Sequence, residues 1–144
     1  MAMEVVRDRT WERPQLAPGA LDRVFFEAAA RGELLYQRCP ACDHRQFYPR
    51  LLCIACGGDT SWATASGRGV VHTFTIVRQH GQAPFKGELP YAVAMVELEE
   101  GVRMMGTVTG CPVESVRIGM PVEAYAGECG DGMAVPFWRP ADVA

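Results

Sequence analysis

Lysine is almost missing from this sequence: Lys86 stands alone beside thirteen arginines, and acidic residues exceed the two basic types, 17 against 14. A chain with net charge −3 lacks the basic excess that draws proteins to nucleic acid without sequence preference. Long apolar runs are also missing. No stretch approaches the roughly 20 apolar residues of a membrane-spanning helix. The opening residues Met1 to Asp8 have neither the basic segment nor the apolar run of a secretory signal, so the expected compartment is the cytoplasm. Histidine occurs three times, and Gly-x-Ser-x-Gly, a phosphate-cradling glycine loop and an evident carboxylate pair do not occur. Each absence removes a familiar route to catalysis.

Cysteine is what the chain does have. Cys39-Pro40-Ala41-Cys42 and Cys53-Ile54-Ala55-Cys56 form two Cys-x-x-Cys pairs separated by ten residues. Each pair can fold as a tight knuckle whose backbone N–H groups turn toward the sulfurs. Two facing knuckles then supply four thiolates at tetrahedral corners, the closed geometry of structural zinc. Phe47 and Tyr48 lie between the knuckles, where a short hairpin would lay apolar rings over the metal. Gly57-Gly58 relaxes the backbone at the turn that follows. Iron in a rubredoxin-like site satisfies the same softness and geometry. A redox-active pair needs only one Cys-x-x-Cys leading into a helix, and neither pair here precedes a helical pattern. Disulfides would suit an exported chain, which nothing in the sequence indicates. A closed four-thiolate zinc leaves no position for an activated water, so its role is structural.

The length of 144 residues suits one domain of ordinary size or two small modules sharing a surface. The expected organisation is an arm and helix over 1–33, a zinc ribbon over 34–60 and a β domain over 61–144. Residues 1–18 show no periodicity and read as an extended arm that a partner would order, with Trp11 as its packing anchor or a mobile exposed ring. Ala20 to Arg31 predicts a helix, with Leu21, Val24, Phe25 and Ala28 on one stripe, Phe26 beside it and Gly32 as its stop. The ribbon has little core to offer two phenylalanine rings, so Phe25 and Phe26 are candidates for docking on another subunit. Beyond Gly67 the texture turns to β: runs over 70–77, 91–98, 102–109, 122–125 and 133–138, the last broken by Pro136 and so expected at an edge. A short connection that can be helical separates the third and fourth runs. Five strands in this arrangement predict a closed Greek-key barrel of the OB type, with a β-sandwich as the alternative. The thirteen residues from Arg78 to Pro90 are near the length at which loops are usually functional or unstructured.

Single candidates for chemistry are few. His72 lies within a strand and reads as structural, His44 follows the first knuckle toward solvent, and His80 sits in the long loop. Cys111 and Cys129 lie at turns, and no histidine partner can be assigned to either. From the residues, the chain reads as a scaffold or binding protein. A single-stranded nucleic-acid module is the rival class, because ribbons and OB barrels both serve that role.

The succession of helix, four-cysteine ribbon and five-stranded barrel, with Phe25 to Leu34, Gln37 to Cys42, Gly67-Arg68-Gly69, Arg117 to Val122 and Phe137 to Pro140, resembles a known family over about residues 20–140. These are the zinc-ribbon/OB-fold acyl-CoA-associated proteins of bacteria and archaea, catalogued as domain of unknown function thirty-five. The resemblance implies a small accessory subunit of a thiolase-fold enzyme (thiolase, aldolase or acyltransferase), without activity alone, that stabilises its partner and helps form the acyl-CoA site. It implies a CoA thioester as ligand of the complex and, from the dimeric partner, a heterotetramer with two copies of each chain. Within it, Arg78, His80, Phe85 and Lys86 could reach a pantetheine channel or an adenosine phosphate, or could clamp protein to protein.

Overall fold

All five β runs become strands, and they close on themselves. The computed structural model describes residues 2–7 and 10–141. The strands are β5 (Arg68–Val77), β6 (Tyr91–Leu98), β7 (Arg103–Val108), β8 (Pro121–Gly130) and β9 (Met133–Pro140). β5, β6 and β7 form an antiparallel meander, β8 returns to pair with β5, and β9 pairs antiparallel with β8. A single parallel pairing, Val108 with Trp138, joins β7 to β9 and closes the barrel. The result is the OB-type barrel that the sequence predicts. Along β6, Ala92, Ala94, Val96 and Leu98 face the core in strict alternation.

Trp138 fills the barrel where it closes, 1% exposed. Its indole lies so near β7 that a Cβ built on Gly106 would stand 2.9 Å from two ring atoms, so only glycine fits there. Pro136, expected at an edge, pairs opposite Ala126 on the β8 side, while the β7 pairing of its strand begins only at Trp138.

Two differences from the sequence reading have clear causes. First, the fourth run was expected to end at Tyr125, yet β8 continues to Gly130. Gly127 and Glu128 stay in register with Val135 and Ala134, and the reversal is confined to Gly130, Asp131 and Gly132, all at positive φ. Pairing with β9 overrides the weak intrinsic preference of glycine. Second, the buried stripe of helix α1 (Ala20–Ala30) runs through Phe25, Ala28 and Ala29, and Val24 is 39% exposed. Ala29 meets Ala126 and Ala134, and three methyl side chains let the helix approach the β8–β9 hairpin closely. Arg23 ties the same helix to the hairpin tip by hydrogen bonds to the Asp131 carboxylate and carbonyl.

The described residues of the arm pack on this chain rather than awaiting a partner. Residues Glu4–Val6 form β1, parallel to Tyr125, Ala126 and Gly127 of β8, and the Met3 amide donates to the Gly32 carbonyl at 2.8 Å. A second, three-stranded sheet contains β2 (Leu35–Arg38) at its centre, flanked by β3 (Arg45–Gln46) and β4 (Ser61–Thr64). A one-turn helix α2 (Ala83–Lys86) interrupts the long loop, and a 3-10 turn at Val113–Ser115 occupies the connection before β8. Among the described residues no helix is long and apolar enough to cross a membrane.

Candidate functional site

The four ribbon cysteines converge. Every Sγ of Cys39, Cys42, Cys53 and Cys56 lies within 4.8 Å of the others, with Cys39–Cys56 at 3.5 Å and Cys42–Cys53 at 3.7 Å. A tetrahedron of roughly 2.3 Å metal–sulfur bonds has edges of about 3.8 Å, so the donor set fits a zinc ion. The second knuckle has the expected amide geometry: Ala55 N–H points to the Cys53 sulfur and Gly58 N–H to the Cys56 sulfur, each at 3.4 Å. The protonation pattern matches four crowded donors. Burial raises the Cys53 thiol, but the amides of Cys56 and Ala55 and the adjoining thiols outweigh it and bring it down to about 7. The His44 amide lowers the Cys42 thiol, and desolvation with the hydrogen bonds shared by the other three sulfurs outweighs that, pushing it up to about 12. The Cys53 thiolate forms readily, while Cys42 and Cys56 resist until a cation shares their charge. A bound zinc would hold the two knuckles together, leaving no open position for chemistry.

The cysteines are not the whole ribbon. Gln37 (1% exposed) and Gln46, paired across β2 and β3, are the buried polar side chains of this region. The Gln37 amide donates to the Arg50 carbonyl at 2.9 Å and accepts from the Arg50 N–H at 2.8 Å. Gln46 donates to Gln37 at 3.0 Å and to the Leu52 carbonyl, and accepts from the Ile54 N–H at 3.0 Å. Two side chains thereby fix the backbone of residues 50–54 that presents Cys53. Sequence reading passed over both, because a buried glutamine has the same letter as a surface one.

Beside the ribbon lies an apolar groove of about 190 Å³, lined by Phe26, Phe47, Tyr48, Met105, Val135 and Pro136, with Phe25, Met104 and Trp138 in its wall. Met105 is 69% exposed at its rim, and the ribbon loop beyond Tyr48 carries Leu51 and Ile54 at 82% and 69%. Phe25 is only 5% exposed. Its ring packs on Phe47 at 5.1 Å and on Phe26 at 5.3 Å. The ribbon was expected to offer little core to both rings; Phe25 is nevertheless buried, packed on Phe47 of the ribbon, and Phe26 faces the groove.

The remaining candidates occupy the 78–90 loop, which contributes nothing to the groove lining. Arg78 and Lys86 are exposed. His80 stacks on Phe85 at 4.5 Å and accepts the Gln82 N–H at its Nδ1, 3.1 Å away. His72 is exposed where the β5–β6 register shifts between Val71 and Thr73. Cys129 is buried, and desolvation raises its thiol, which opposes nucleophilic use.

Comparison with known proteins agrees with these elements. Residues 26–61 match the family model described as the ChsH2 rubredoxin-like zinc ribbon domain, and residues 62–126 match that of the ChsH2 C-terminal OB-fold domain. A probable enoyl-CoA hydratase alpha subunit of Thermomonospora curvata is 35% identical over 130 residues, 90% of this chain and 40% of that protein. A DUF35 domain-containing scaffold protein of Methanocaldococcus jannaschii is 38% identical over 93 residues, 63% of this chain and 65% of that one. The chain thus spans less than two thirds of either relative's length. A chain of the solved structure titled Ltp2-ChsH2(DUF35) aldolase superposes with a TM-score of 0.78 at 34% identity, covering 90% of this chain and 100% of that chain.

Proposed function

The chain belongs to the ChsH2 family of zinc-ribbon/OB-fold proteins, also known as DUF35, and from that membership we propose that it is a non-catalytic accessory subunit of a thiolase-fold enzyme acting on acyl-CoA. The observation that carries this reading is the exposed apolar groove between α1, the ribbon and the barrel. A surface on which Phe26, Tyr48 and Met105 meet solvent beside Leu51 and Ile54 suits burial against another protein. Similarity to a chain of a two-component aldolase supports the same role. Met105 on β7 and Phe26 on α1 flank the groove and are its anchors. The 78–90 loop offers Arg78 and Lys86 as cations for the phosphates of a CoA thioester at the partner's site. The assembly proposed is a heterotetramer with two copies of each chain.

The test is affinity purification from the native extract, with mass spectrometry of what elutes, using the unaltered chain and the Phe26→Asp and Met105→Asp variants. The unaltered chain should bring down an acyl-CoA enzyme of the thiolase fold, and each variant should lose it while keeping one zinc per chain. Elution without such a partner, or capture unaffected by both substitutions, overturns the proposal. In a complex that still forms, Arg78→Ala with Lys86→Ala should weaken acyl-CoA binding severalfold.

A further inference from the structure

Arg13 of the arm meets the long loop. Arg13 places its guanidinium 5.8 Å from the Trp11 ring centroid, 5.4 Å from that of Phe85 and 5.4 Å from that of Phe137. Both of its nitrogen arms reach the Glu88 carboxylate, at 2.8 and 3.1 Å. The side chain is 16% exposed. Trp11 closes the arm's own turn by donating its Nε1–H to the Pro14 carbonyl at 3.2 Å. Thus a residue of the arm, two of the loop and one of β9 meet at the Arg13 cation, across 75 positions of sequence between Arg13 and Glu88.

We propose that residues 10–18 are a strap over the 78–90 loop, and that Arg13 is the positioning residue that latches the loop in one conformation. Helix α2 buries none of its four residues, and the hydrogen bonds of Phe85, Lys86, Glu88 and Leu89 amides all return to the loop itself. A planar fork satisfies two carboxylate oxygens while its faces lie near aromatic rings, which a lysine ammonium cannot reproduce. The latch holds Phe85 and Glu88 toward β9 and leaves Arg78 and Lys86 outward. The loop's order is set by this latch independently of which ligand or partner the loop meets.

Amide hydrogen exchange read by mass spectrometry on the zinc-loaded full chain tests it. In Arg13→Gln, peptides covering 82–89 should exchange about tenfold faster, the factor lost with one charged bidentate contact, while ribbon and β8 peptides keep their rates. Arg13→Lys should fall between, Glu88→Gln should accelerate the same peptides, and the double variant should be less than additive. Unchanged loop exchange in Arg13→Gln overturns the latch. So does acceleration spread equally over ribbon and barrel, which would make Arg13 a residue of general stability, and so does a double variant that simply adds the two effects.

Discussion

Gln37→Met probes how far the ribbon depends on groups other than its cysteines. Methionine keeps the length of glutamine and its apolar stem but removes the amide. Four contacts disappear: to the Arg50 carbonyl at 2.9 Å, from the Arg50 N–H at 2.8 Å, from Gln46 at 3.0 Å and a long one to the Thr60 hydroxyl at 3.4 Å. A neutral hydrogen bond contributes about 1 kcal/mol net, and a buried group left unpaired costs about 1–3 kcal/mol. Arg50 is exposed, so water can reach its backbone and the low end applies there, while Gln46 keeps its bond to Leu52. The sum is about 2–3 kcal/mol. For a domain of this length that corresponds to a fall in Tm of roughly 6–9 °C. Because the lost bonds position the backbone at Cys53, and metal binding is linked to folding, apparent zinc affinity should fall by up to about 30–150-fold. Calorimetry and competition with a chromophoric chelator read the two quantities. A Tm within 2 °C of the parent, with a superimposable chelator curve, refutes the argument that these glutamines order the second knuckle.

Two further outcomes follow from the same structure. Cys56→Ser should yield insoluble protein or one that unfolds on mild heating, and elemental analysis should fall from about one zinc per chain to near zero. A soluble, metal-free chain with an unchanged melting curve would contradict the structural role. Gly106→Ala forces a methyl to within 2.9 Å of the Trp138 indole, so it should cost about 1–3 kcal/mol and lower Tm by several degrees without altering zinc content; an unchanged Tm would mean that the barrel closes less tightly than the geometry indicates.

The sequence alone determined the features that depend on short spacing. Two Cys-x-x-Cys pairs ten residues apart set the ribbon, because a knuckle is closed by its own four or five residues and needs no distant partner. Alternation and glycine turns likewise marked all five barrel strands and the helix, since side-chain period and backbone stops are local properties. Tertiary structure decided what depends on contacts between distant segments. Gly127 and Glu128 became strand because β9 lay beside them. The helix turned its alanines inward because the hairpin offered Ala126 and Ala134. Phe25 went to the core and Phe26 to the groove, although they are adjacent and identical in chemistry. Gln37 and Gln46 were buried because a backbone loop supplied every partner that their amides require, and Arg13 found Glu88 because the arm crosses the long loop. A polar letter says nothing of whether partners await it; only the assembled chain can bring them within hydrogen-bond reach.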